Sequence, residues 1–262
     1  MSRRTFRSVA ITGASRGIGA AVAIRYARAG ASLALLSRSA RDLEAVAAQC
    51  RAAGAEAVRT TAVDVRDQAG LEAAISAFDA RRPIDLLVAN AGVTGGWSQD
   101  GTAERPDDSR ELLEINLMGA LNAVHAVLPA MRQRGSGQIA LVSSIAAFVP
   151  LPGLPSYCAS KAALLAYALA LRETVRGDGV GVSAVCPGYV DTVLLRRLSG
   201  PRPALITPAT AADAIFAGLQ HNRRIIAFPT LIALLTRLIA LLPEPGIRLM
   251  LPAQTVAPPE EI

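Results

Sequence analysis

Short apolar runs alternate along this chain with longer stretches in which apolar residues recur every three or four positions. From Ser8 the runs are "SVAIT", "SLALLS", "AVRTTAVD", "IDLLVAN", "GQIALVSS", "GVGVSAVCP" and "RRIIAF". Their length and their Val, Ile and Ala content predict strands. Residues 17–29, 40–53, 68–81, 107–133 (one long or broken helix), 155–176 and a stretch opening at Thr207-Pro208 read as helices. Near-continuous apolar strands separated by crossover helices indicate a parallel sheet covered on both faces. Right-handed crossovers then make a doubly wound α/β arrangement the expectation, with seven mostly parallel strands.

Composition agrees with a folded core. The chain has 262 residues, 52% apolar and 18% charged, which permits extensive burial and argues against disorder. Net charge is +6, but the arginines are scattered, with no basic block and no interleaved aromatics, so nucleic acid is not an expected partner. Cys50, Cys158 and Cys186 have no metal-ligand spacing, and no metal is expected. They read as small core residues of a protein in a reducing compartment. The opening "SRRTF" has the outline of a twin-arginine signal. The glycine-rich turn that soon follows makes a strand and loop the better reading, and predicts a cytoplasmic protein.

The turn "TGASRGIG" (Thr12 to Gly19) falls where the first strand gives way to the first helix. Gly13, Gly17 and Gly19 would give it the backbone angles and close approach that a pyrophosphate needs, with Ser15, Arg16 and Ile18 beside them. A structural tight turn is the plainer alternative. At the end of the second strand, where NAD binders usually carry an acid, stand Ser37 and Arg38. No carboxylate there would repel a 2′-phosphate, and Arg16 and Arg38 could fork it, so NADP(H) is the expected cofactor. Asp64, followed by Val65 at the end of the third strand, could accept from the adenine amino group or cap the next turn.

A single lysine occurs among the 27 basic residues, and it ends the segment "SYCASK". Tyr157 and Lys161 are four residues apart on a predicted helix, so they share a face. A free tyrosine titrates near about 10, and an adjacent ammonium favours the phenolate. Such a pair suits proton transfer to or from a substrate oxygen.

Together "TGASRGIG", "NAG" (Asn90, Ala91, Gly92), "YCASK" and "CPG" (Cys186, Pro187, Gly188) resemble, in order and spacing, the short-chain dehydrogenase/reductases, over roughly residues 8–228. The resemblance implies a single Rossmann domain and an NADP-preferring carbonyl reductase or alcohol dehydrogenase. It makes Tyr157 the acid/base, Lys161 its tuner, Ser144 (or, one residue earlier, Ser143) the group that polarises the substrate oxygen, and Asn116 the support of a proton relay. It also implies that Asn90, Ala91, Gly92, Pro187, Gly188, Val190 and Thr192 line the cofactor. Asn90 has an equal structural reading, tying neighbouring strands. A homodimer or homotetramer is implied by the family alone.

Residues 229–262 extend past the last strand and begin "PTLIALLTRLIALLPEPGIRLMLP". The run from Leu231 to Leu242 is too short to span a bilayer. It is expected to pack on the 1–228 domain or a partner subunit. It could also roof a pocket for a long apolar substrate, or lie at a membrane interface with Arg223, Arg224, Arg237 and Arg248 near lipid phosphates. The segment 191–207, rich in leucine, reads as a substrate lid. A non-catalytic dinucleotide sensor and a membrane-peripheral reductase of long-chain or keto-sphingoid lipids are the competing functions.

Overall fold

The apolar runs form seven strands in the computed structural model, which describes residues 3–98, 102–251 and 255–256. They are β1 (Ser8–Thr12), β2 (Ser32–Ser37), β3 (Ala57–Ala62), β4 (Leu86–Ala89), β5 (Gly137–Val142), β6 (Val180–Pro187) and β7 (Ile225–Phe228). The sheet order is β3-β2-β1-β4-β5-β6-β7, and every pairing is parallel. The chain winds outward from β1 to β3, crosses back to β4, and then winds the other way. A crevice therefore opens between β1 and β4, at the carboxyl ends of the strands.

Helices cover both faces: α1 (Gly17–Ala27), α2 (Ala40–Ala52), α3 (Gln68–Asp79), α4 (Pro106–Leu113), α5 (Gly119–Arg134), α6 (Pro155–Thr174), α7 (Val193–Arg196) and α8 (Pro208–Gln220). Because side chains alternate along a strand, β1 sends Val9 and Ile11 to one core and Ala10 to the other. The first core joins α1, α2 and α8 through residues such as Val22, Leu43 and Ile215. The second joins α3, α5 and α6 through residues such as Ile75, Val124 and Leu164. The predicted elements are all present, most with an end trimmed by one to a few residues. The long 107–133 stretch is broken between α4 and α5 by a single wide turn, Glu114–Met118, which carries Asn116.

Beyond β7 the extension forms α9 (Thr230–Ile239) beside β7, and then α10 (Glu244–Met250). Ala233 and Thr236 are buried, whereas Leu231, Leu234, Leu238 and Leu241 are exposed. The guanidinium of Arg237 sits 4.3 Å above the Phe148 ring rather than standing free. Val256 pairs with Ser98 and Leu198. The Arg248 side chain, and residues 252–254 and 257–262 of the expected extension, lie outside what the structure describes.

Candidate active site

A cavity of about 990 Å3 occupies the crevice where the strand order reverses. Its walls come from the residues just past the strand ends: Gly13 after β1, Arg38 after β2, Asp64 after β3, Asn90 after β4, Ser144 after β5 and Gly188 after β6. These groups lie far apart along the chain, and the topology brings them together.

The glycine turn is shaped for close approach. Gly13 and Gly17 have φ of +64° and +58°, which side chains rarely adopt. A Cβ on Gly13 would lie 2.7 Å from the Ala91 Cα, so loop and neighbouring strand end touch backbone to backbone. Gly13, Ser15, Arg16, Gly17 and Ile18 line the cavity. Gly19 is not among the described lining residues; it is buried, and its own Cβ would meet the Gly13 carbonyl at 2.3 Å. Its missing side chain lets α1 pack directly on the turn. Asn90 does both things expected of it: it lines the cavity, and its Nδ2 donates to the carbonyls of Thr12 and Gly13, each at 3.1 Å. Thr12 Oγ1 completes the tie by accepting from the amides of Asn90 and Ala91.

The N-cap of α1 is Arg16, which makes no side-chain cap bond. First-turn amides of this helix are thus left for an acceptor with negative charge, and the glycine cradle leaves room for it. The residues present fit a dinucleotide diphosphate.

At the β2 end Ser37 and Arg38 line the cavity, and Arg16 faces the same space. Among the described residues no carboxylate ion-pairs with either arginine. Asp42, in the first turn of α2, places one carboxylate on this stretch of wall. Asp64 is forked by Arg66 at 2.7 and 3.1 Å and accepts from the Arg66 amide at 2.9 Å. These hydrogen bonds hold its carboxyl below the usual range. Of its two expected roles, capping the turn is therefore the one the structure displays, although Asp64 and Val65 both line the cavity.

Ser144, Tyr157 and Lys161 meet on one wall. Tyr157 and Lys161 lie one turn apart on α6, and Lys161 Nζ stands 5.7 Å from the Tyr157 ring centroid. Nζ donates to the Val142 carbonyl at 3.1 Å, which fixes the side chain against the end of β5. The two serines separate clearly. Ser143 is buried and donates to the Lys161 carbonyl at 2.7 Å, so its hydroxyl holds α6 to the sheet. Ser144 accepts from the Ala146 amide at 3.1 Å and keeps its proton for another partner.

Burial pushes the Tyr157 phenol up to about 12, against an opposing pull from Ser144. Burial likewise brings Lys161 down to about 8. The expected lowering of Tyr157 by the ammonium is thus not the governing effect. Loss of water governs, with Nζ donating to a backbone carbonyl and lying 5.7 Å from the ring centroid.

Asn116 lies in the wide turn between α4 and α5. It is fully buried behind the cavity wall, accepting from the Val93 amide at 2.7 Å and donating to the Val93 carbonyl and Ser160 Oγ. All its amide atoms serve the 92–94 loop and α6. A Cβ on Gly92 would sit 3.1 Å from Asn116 Oδ1 and 3.4 Å from Lys161 Nζ, so Asn116 shapes the pocket around the lysine from behind.

Pro187, Gly188, Tyr189, Val190 and Thr192 line the remaining wall. The bonds flanking Val190 run from Asp191 N to Ile206 O and from Ile206 N to Tyr189 O. Thr192 Oγ1 caps α7, and its methyl would lie 3.2 Å from a Cβ on Gly17, closing the ring of residues back to the glycine turn. The extension contributes wall as well, through Ile232, Leu235 and Ile239 of α9 and Met250 of α10. Sequence reasoning missed Thr94, whose buried Oγ1 has no partner and which lines the cavity two residues past the "NAG" motif. It also missed Asp42, Arg197 and Arg202, which nothing distinguishes in an arginine-rich chain.

The sequence model of the short chain dehydrogenase family matches residues 7–202. An uncharacterized oxidoreductase of Myxococcus xanthus is 33% identical over 246 residues, covering 94% of this chain and 96% of the relative. Among solved structures, a short chain dehydrogenase from Mycobacterium paratuberculosis bound to NAD is 27% identical with a TM-score of 0.75, covering 84% of this chain and 95% of that one. A short-chain dehydrogenase from Sphingobium yanoikuyae in complex with NADPH is 27% identical with a TM-score of 0.76, covering 90% and 96%.

Proposed function

This chain belongs to the short-chain dehydrogenase family, and from that premise we propose that it is an NADP(H)-dependent oxidoreductase interconverting a carbonyl and a secondary alcohol on an apolar substrate. The observation that carries the proposal is the convergence of Ser144, Tyr157 and Lys161 on one wall of the dinucleotide-shaped cavity.

The cofactor, when bound, supplies or accepts the hydride. The protein handles the proton. With its pKa raised to about 12, Tyr157 stays protonated at neutral pH and donates to the substrate oxygen as negative charge develops there. Ser144 donates a second hydrogen bond to that oxygen and orients it. Lys161, anchored to Val142, exchanges its proton close to neutrality and returns one toward the tyrosine side of the pocket. Asn116 holds the 92–94 loop and Ser160 so that this geometry persists.

Preference for NADP(H) is supported by Arg16 and Arg38 and by the absence of an acid at the end of β2; the two solved neighbours carry NAD in one case and NADPH in the other. The three free, buried cysteines support a reducing cytoplasm as its location, and the family supports assembly as a homodimer or homotetramer. The test is NADPH consumption against a panel of ketones and aldehydes, with Tyr157→Phe as control. Consumption by the wild type that the variant lacks supports the reading; cofactor binding without consumption on any carbonyl points to a dinucleotide sensor.

The exposed leucines of α9 favour a second reading, in which the carbonyl is carried by a long-chain lipid taken up at a membrane surface. Co-sedimentation with liposomes that Leu234→Ser and Leu238→Ser together abolish would support it.

A further inference from the structure

Three arginines sit in or just after α7, and they are not alike. Arg196 turns outward and pairs with Asp191 at 3.3 Å. Arg197 and Arg202 line the cavity, and among the described residues neither has a carboxylate at ion-pairing distance. The Nε of Arg197 is buried with no hydrogen-bond partner. Arg202 donates one bond, at 2.6 Å, to the Leu198 carbonyl and keeps the rest of its fork. The carboxylates among the described lining residues are Asp42 and Asp64, both at the β2 and β3 ends of the cavity.

The cavity lining next to these arginines in the chain is apolar: Val193, Leu194, Leu195, Leu198, Pro201 and Pro203. Leu195 and Leu198, which bracket Arg197, pack in one cluster with Ala146, Leu154 and Val256, against Tyr157 and Tyr189. Leu151 packs against the same cluster, and Ile232, Leu235 and Met250 also line the cavity. A partly buried guanidinium without a counter-charge is costly, and an apolar surround strengthens its attraction for an anion. The planar fork of arginine suits a carboxylate or a phosphate monoester.

We propose that the substrate is an amphiphile: an apolar body carrying the carbonyl, and an anionic head group, carboxylate or phosphate monoester, held by Arg197 and Arg202. This rests on the carbonyl oxidoreductase reading and names the substrate class for that site. The rival occupant of these arginines is the cofactor diphosphate, since Thr192, the N-cap of α7, lies against Gly17 of the glycine turn. Leu195 and Leu198, close to Arg197 in the chain, pack in one cluster with Tyr157 and Tyr189, which favours the substrate.

The experiment is calorimetric titration of the protein, saturated with the dinucleotide it binds, with octanoate, octyl phosphate and octan-1-ol. Wild type and the double variant Arg197→Gln/Arg202→Gln are compared, and dinucleotide affinity is measured in both. At least one anion is expected to bind roughly tenfold or more tightly than the alcohol, a factor that the double variant loses while its dinucleotide affinity holds within about twofold. Which of the two anions gains the advantage identifies the head group. Equal binding of all three probes, or no binding of either anion, would overturn the proposal in the wild type alone, whatever the variant's stability. A fall in dinucleotide affinity in the variant would assign the arginines to the cofactor instead. Because the readout is binding, failure of every carbonyl to turn over would count against the functional reading without deciding this one.

Discussion

Lys161 Nζ and the Val142 carbonyl are joined by a hydrogen bond of 3.1 Å, which holds the chain's single lysine beneath the cavity wall, 5.7 Å from the centre of the Tyr157 ring. An arginine could not occupy this place in the same way: its planar head is larger and cannot give up its proton, whereas a buried ammonium can. The proton path of the proposed reaction runs through this pair.

Replacing Tyr157 by Phe removes the proton donor while keeping the ring. Turnover is expected to fall by about 10²–10⁴ with dinucleotide affinity changed by no more than about twofold. Steady-state rates and fluorescence titration of the cofactor check both halves. Retained turnover would remove Tyr157 from proton transfer.

Lys161 also predicts a pH dependence of stability. Its pKa is lowered from 10.5 to about 8 in the folded protein, so between those values the unfolded chain binds more protons. Stability attributable to this residue therefore rises with pH across that window, as the buried ammonium is relieved of its charge. The difference in unfolding free energy between wild type and Lys161→Met, from urea titrations, should increase from pH about 8 toward about 10. A flat difference would show that the lysine is not desolvated.

The neighbouring serines should divide by function. Ser143→Ala loses the bond to the Lys161 carbonyl and is expected to cost about 1 kcal/mol of stability or somewhat more. Ser144→Ala loses only the partly exposed Ala146 cap bond, so it should destabilise less than Ser143→Ala while lowering kcat by about tenfold or more. Urea denaturation and kinetics on both variants test this, and the reverse pattern would exchange their roles.

Two glycines give a matched test of the cradle. Gly13 and Gly30 both have positive φ, +64° and +76°, but a Cβ at Gly13 meets the Ala91 Cα at 2.7 Å while nothing lies within 4 Å of one at Gly30. Gly30→Ala should cost only backbone strain, about 1 kcal/mol. Gly13→Ala should cost more and weaken dinucleotide binding as well. Equal effects on the unfolding midpoint would show that backbone contact at Gly13 is not tight.

Strand and helix order was legible because each segment's apolar pattern agrees with its place in a parallel sheet, as "SVAIT" and "SLALLS" show by matching β1 and β2 at both ends. The crevice and its glycine turn followed from topology. What the sequence hid were hydrogen-bond choices made between distant segments. That the Asn116 side chain ties the 92–94 loop to α6 can only be seen once Val93 and Ser160 are known to face it. That Asp64 caps the turn and is forked by Arg66, two residues on, is a side-chain choice that no spacing encodes. Whether burial or a neighbouring ammonium governs the Tyr157 pKa is likewise a matter of distance. Arg197 carries no local signal, since its difference from Arg196 lies wholly in which way each side chain points.

The most direct test of the account is titration of the wild-type protein and Arg38→Ala with NADPH and NADH separately. A clear NADPH preference that falls by about tenfold in the variant, with NADH affinity little changed, is the predicted result. Equal or tighter binding of NADH by the wild type would contradict the two-arginine phosphate site, and binding of neither would contradict the enzyme reading itself.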